Sequence, residues 1–162
     1  MPLSFQMKET MSGSHHFVDP KWGSPEEQTL FFTIEWGQTL PAFFTPSDPA
    51  FMVARARGDI YVEGLTSAPV PCRGALSLSY LSRRELRYEL AFHVKGTAYV
   101  FTGLKRNVEL WRPWLLPKTH TTCYGLLEDE QGRSVSRSVL HFPIDVRGIT
   151  DFLKSFRLTH GE

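Results

Sequence analysis

The chain has 162 residues, a formal net charge of +1, and 41% hydrophobic and 22% charged residues. That length suits a single domain over 1–162, able to bury a core without disulfide or metal staples. The near-neutral balance excludes a strong field for nucleic acid or anionic lipid, and no apolar run approaches the roughly 20 residues of a membrane-spanning helix. The N-terminal stretch lacks the apolar core of a signal peptide, so a cytoplasmic location is expected. In such a reducing setting Cys72 and Cys123 are expected to be free and buried.

Residues 3–11 read as a short first strand. Ser12-Gly13-Ser14 reads as a turn, leaving His15 and His16 in a loop, and 19–25 is a second loop rich in turn formers. Thr29 to Trp36 is a strand with Leu30, Phe32, Ile34 and Trp36 on one face. Thr29, Thr33 and Glu35 share the other face, interrupted by Phe31. Residues 38–52 carry Pro41, Pro46 and Pro49, which predicts a compact connection with one helical turn near Pro41–Phe44. Val53 to Glu63 is a strand with Ala54, Ala56, Gly58 and Ile60 on one side and Arg55, Arg57 and Asp59 on the other. Small residues opposite charged ones predict a bulky inner neighbour or a tight bend at Gly58. Arg73 to Tyr80 is a strand with Leu76, Leu78 and Tyr80 inward.

Residues 85–106 form the clearest element, a hairpin turning at Lys95-Gly96. Tyr88, Leu90, Phe92 and Val94 alternate with Arg87, Glu89, Ala91 and His93, the pattern of a half-buried antiparallel strand. Residues 107–118 hold Trp111, Trp114 and two prolines and read as an ordered loop. Thr119 to Leu127 is β-rich, Asp129–Gly132 is a turn, and Arg133 to Ile144 returns as a strand. Ile149, Phe152, Leu153 and Phe156 have helical spacing, which predicts a short C-terminal helix over Arg147–Phe156. About eight strands without βαβ alternation give an all-β fold, an antiparallel up-and-down barrel in preference to a sandwich because closure removes exposed edges.

Chemistry is thinly signalled. Adjacent His15 and His16 face opposite sides of an extended chain, and no metal-ligand spacing occurs, so no metal is expected. Gly-x-Gly-x-x-Gly, phosphate-loop and Gly-x-Ser-x-Gly patterns are absent, so no nucleotide or other cofactor is expected and no catalytic residue is assigned. Cys123, within Thr-Thr-Cys-Tyr, reads as core rather than nucleophile. His120, Thr122 and Tyr124 alternate with Leu126; with that face turned into the barrel they form polar groups on an apolar wall, joined by His141 from the next strand. Trp36, Trp111 and Trp114, as an aromatic lining, and Arg55 complete the ligand-binding candidates.

The order of short motifs resembles the small β-domain appended to bacterial glucose–methanol–choline oxidoreductases, the cholesterol-oxidase-like proteins. The resemblance runs through Glu9-Thr10-Met11-Ser12-Gly13, Gly58–Gly64, Arg87–Phe92, Phe101-Thr102-Gly103-Leu104-Lys105, Trp111–Thr122 and Gly148-Ile149 with Asp151-Phe152-Leu153. It implies a lipocalin-like barrel that accompanies an oxidoreductase. Without a flavin fingerprint here, the oxidoreductase activity itself does not carry over. The expected function is a non-catalytic barrel that binds an apolar, lipid- or steroid-like molecule or docks to an oxidoreductase. The alternatives are a small isomerase or cyclase, using two or more of His120, Tyr124, His141, Glu35 and Arg55, and a purely structural interaction domain.

Overall fold

The computed structural model describes residues 2–79, 84–106, 122–142 and 154–160. Among them run β1 (Leu3–Phe17), β2 (Gln28–Thr39), α1 (Leu40–Phe44), β3 (Val53–Val62), β4 (Val70–Ser79), β5 (Glu85–Val94), β6 (Thr97–Lys105), β7 (Thr122–Asp129), β8 (Ser134–His141) and β9 (Arg157–His160). Strands β2 to β8 each pair with their sequence neighbour, β8 pairs with β1, and β1 pairs with β2. The result is a closed antiparallel barrel of eight strands, with β9 added to β1 as a ninth. This is the all-β barrel that the strand count predicts.

The β5–β6 hairpin follows its sequence pattern. Leu86, Tyr88, Leu90 and Phe92 are buried, and Arg87, Glu89, Ala91 and His93 are exposed. Lys95 and Gly96 both take positive φ, 50° and 81°, as a tight two-residue hairpin turn requires. The inward rings pack in two groups within one apolar cluster. Phe32 lies 5.5 Å from both Tyr88 and Phe101, and Phe92 stacks on Tyr99 at 5.7 Å. Met11, Leu30, Ile34, Ile60, Leu76, Leu90, Leu127 and Leu140 fill the space around them.

A second cluster closes the end of the barrel that carries α1. The helical turn forms where Pro41–Phe44 predicts it and presents Phe43 to Phe5, ring centres 5.0 Å apart. Ala54 packs in this cluster, and Ala56 faces Trp36 across the β2–β3 pair. The small side chains of β3 therefore do meet bulky neighbours. Gly58 also marks a tight approach: a Cβ there would overlap the Thr33 carbonyl oxygen on β2. Gly74 on β4 stands in the same relation to the Glu89 carbonyl oxygen on β5.

Two expectations change, and one strand is new. Ser12-Gly13-Ser14 is not a turn; β1 runs on to Phe17, and Gly13 lies against the Val139 carbonyl oxygen of β8. His15 is consequently part of the wall and buried, not in a loop. The strand β9 is one that the sequence pattern does not predict, four residues being too short to show a period. The helix expected over Arg147–Phe156 lies, except for 154–156, outside the described residues, as does the loop expected over 107–118.

Replacing Gly58 or Gly74 with Val forces a branched side chain into neighbouring backbone. Each variant should lose about 3 kcal/mol or more of stability, or fail to fold, as read by urea unfolding and soluble yield. Gly132→Ala, at a turn with nothing within 4 Å, should fold and lose only about 1 kcal/mol from its positive φ.

Candidate functional site

Among the described residues, a charged cluster lies in the interior with both partners of its ion pair buried. Glu9 on β1 and Lys105 at the end of β6 both fall on the inward phase of their strands, after Phe5 and Met7 and after Tyr99, Phe101 and Gly103. Their side chains are 5% and 3% exposed, and Lys105 Nζ donates to Glu9 Oε1 at 2.7 Å. The Tyr88 hydroxyl, from β5, donates to the same carboxylate with both oxygens at 2.9 Å. The Lys105 ammonium also stands 5.2 Å from the Tyr88 ring and 6.0 Å from that of Phe142, close enough for cation–π attraction. Two isolated charges would be prohibitively costly in this interior; paired and hydrogen-bonded, they persist.

The cluster crosses the barrel. Strands β7 and β8 separate β6 from β1 in the wall, so the Glu9–Lys105 bond ties strands that share no backbone pairing. Cys123 of β7 lies beside it, and burial pushes its thiol up to about 12 against the pull of the Lys105 ammonium. Cys72 is raised to about 11, again chiefly by burial. Both thiols are free and buried, as expected, and neither is a nucleophile at neutral pH.

A second polar group occupies the other end. His15 Nε2 lies 2.9 Å from the Glu63 carbonyl oxygen, and Nδ1 lies 2.8 Å from Ser136 Oγ. A carbonyl only accepts, so Nε2 carries the proton, and in the neutral ring Nδ1 accepts from the Ser136 hydroxyl. Burial lowers the His15 pKa below its ordinary value of 6.5 and keeps this neutral form. A serine hydrogen-bonded to a histidine matches an activated nucleophile only in outline: Ser136 is 1% exposed, and the third partner is a backbone carbonyl.

The residues singled out from sequence fall elsewhere. Tyr124 is 59% exposed, and Thr122 and His141 meet on the outer face with Oγ1 and Nδ1 3.4 Å apart. The face expected to point inward therefore points out, and Cys123 and Leu127 fill the interior instead. The reason is volume. The Phe101 ring covers Gly103 and Gly125, so β7 has no room for an inward tyrosine. Arg55 is exposed on the outside of β3. Trp36 points inward, half-buried, its ring 5.9 Å from Phe5 edge to face, and its buried Nε1 has no partner among the described residues. His120, Trp111 and Trp114 lie outside the described residues.

No protein-family model, curated protein or solved structure matches the chain. The site is thus read from its own geometry. Among the described residues no three His, Cys, Asp or Glu side chains gather to hold a metal ion, and no helix is long and apolar enough to cross a membrane. The Glu9–Lys105–Tyr88 cluster escapes the sequence reading, although two charged residues at the inward phase of otherwise apolar strands are a legible signal. Its arrangement suits a lock rather than an acid–base centre, because its proton-carrying atoms are turned on one another and almost wholly enclosed.

Glu9→Gln or Lys105→Met alone leaves a buried group uncompensated and should cost about 3–5 kcal/mol in urea unfolding. The double variant Glu9→Leu/Lys105→Met should recover most of that loss, and Tyr88→Phe should cost about 1–3 kcal/mol. His15 gives a pH signature. Its folded pKa is depressed, so the unfolded chain binds the proton more readily, and the His15 contribution is complete above the unfolded value of 6.5 and is lost as pH falls from there through the lower folded value. The unfolding midpoint should therefore drop between pH 7 and 5, and His15→Gln should flatten that slope.

Proposed function

We propose that this chain is a non-catalytic accessory barrel that acts by docking on another protein through its outer surface. The observation that carries this reading is the filling of the barrel by its own rings: Phe32 packs against Tyr88 and Phe101, Phe92 stacks on Tyr99, and all five are buried in one apolar cluster. A barrel that carries a lipid keeps that space for its ligand. The lipocalin-like function expected from the resemblance thus draws less support than the accessory role expected from the same resemblance. The oxidoreductase partner is likewise part of this proposal, and it rests on the motifs around Glu9 and Lys105.

The alternative of an isomerase or cyclase needs convergent acid–base groups. Tyr124 and His141 stand outside β7 and β8, whereas Glu35 and Arg55 stand outside β2 and β3, with Glu35 already 3.9 Å from Arg57. Glu35 and Arg55 line one open trough, but Tyr124 and His141 lie away from it, so the acid–base candidates do not converge.

Native mass spectrometry of the chain purified from its own host decides between these readings. The expected result is the mass of the polypeptide alone. A retained apolar molecule at one per chain would overturn the filled-barrel reading.

A further inference from the structure

The outer face carries an asymmetry that the interior does not explain. An open trough of about 1630 Å³ runs across the outside of β1 to β5, with Thr159 of β9 at its margin. Arg55 and Arg57 on β3 and Arg73 on β4 line it, all exposed, together with Lys8 on β1. A smaller depression joins it beside Lys8 and adds Arg157 of β9. The carboxylates among these cations are Glu35 and Asp59. Five cations thus face two carboxylates in a chain whose total balance is only +1.

The arrangement is unfavourable as a free surface. Arg57 and Arg73 are direct partners in the β3–β4 register, and like charges in that relation repel. Glu35 relieves Arg57 from 3.9 Å, an exposed pair of small worth. The neighbouring outward positions Ala75 and Ala91 are small, which leaves the guanidinium groups uncovered. Three of the five cations cluster as arginine on two adjacent strands, the side chain whose planar fork grips a carboxylate with two parallel bonds. A concave wall of one dominant sign focuses its field on an approaching anion.

We propose that this trough is the docking surface and that its occupant is an acidic segment of a partner protein. This deepens the accessory-barrel reading and rests on it. Shape and charge select that occupant. The trough exceeds the roughly 300–1,000 Å³ of a small-molecule pocket. Five strands at about 4.8 Å spacing make it roughly 20 Å across, room for a helix or an extended segment. A flat bilayer does not enter a concavity, and the interspersed Glu35 and Asp59 repel the unbroken anionic row of a nucleic acid. A protein segment instead offers carboxylates to the arginines and donors to Glu35 and Asp59.

The test uses the full chain and a fluorescein-labelled peptide in which Glu alternates with Ala, read by anisotropy across a salt series. Binding should weaken with salt. The triple variant Arg55→Gln/Arg57→Gln/Arg73→Gln should bind roughly tenfold more weakly, three exposed charge pairs being lost. Lys95→Gln/Arg137→Gln removes two exposed cations outside the trough and should bind as the parent does. Circular dichroism of each variant checks that it is folded; if the triple variant is not, the single Arg73→Gln replaces it, with a smaller loss expected. No peptide binding, equal loss in the control, or tighter binding to phosphatidylserine vesicles or a single-stranded oligonucleotide than to the peptide overturns the proposal. A retained apolar ligand in the mass spectrum overturns the accessory reading whatever the peptide does, whereas a ligand-free chain that ignores the peptide overturns only the docking assignment.

Discussion

The bond between Glu9 and Lys105 constrains this barrel more than any other single contact. Backbone pairing holds each strand to its neighbours in the wall, but it does not set the distance across the interior. A carboxylate and an ammonium 2.7 Å apart, drawn from β1 and β6, do set it. The Tyr88 hydroxyl triangulates the same point from β5. Because both charges are excluded from water, separating them without a substitute partner is far more costly than parting two apolar side chains. The cluster therefore specifies one registration of opposite walls, where a purely apolar core would tolerate small slips.

The rings then pack within that frame by exchange of volume. Phe101 spreads over Gly103 and Gly125, and β7 contributes a cysteine, a glycine and a leucine inward rather than its tyrosine. On the other side, Ala54 and Ala56 yield space to Phe5, Phe43 and Trp36. A small residue on one strand is the imprint of a large one elsewhere. The same logic separates what is legible in the sequence from what is not.

The β5–β6 hairpin is legible because large apolar and charged residues alternate there without interruption, and each strand can be phased by itself. The turn at Pro41–Phe44 and the meaning of the small face of β3 are legible for similarly local reasons. The phase of β7 is not. Thr122, Tyr124 and Leu126 make as good an inward row as Cys123, Gly125 and Leu127 until the position of Phe101, more than twenty residues earlier, is known. Ser12-Gly13-Ser14 misleads in the same way: Gly13 reads locally as a turn, yet it serves a close approach to Val139, a contact with a strand at the far end of the chain. The buried cluster lies in plain view as Glu9 between Met7 and Met11 and Lys105 after Gly103, but a charge at an inward phase reveals its partner only when both strands are placed.

Strand β1 also joins segments that lie far apart in the sequence. β1 pairs with β2 along most of its length, while its other edge takes β8 against Ser12–Phe17 and β9 against Leu3–Gln6. Between these, Ser155 Oγ accepts from the Lys8 amide and donates to the Lys8 carbonyl. On a ribosome, β1 emerges before β8 and β9 and waits for them before its second edge is covered. Strands β2 to β6 can pair in order as they appear, but the ring stays open, with β1 offering an unpaired edge, until residues 134–160 are released. Such a chain has a long vulnerable interval before closure, in which the uncovered edge of β1 is a template for wrong partners. The polar outward side chains of β1, Gln6, Lys8, Thr10, Ser12 and Ser14, suit a strand that must remain soluble through that delay.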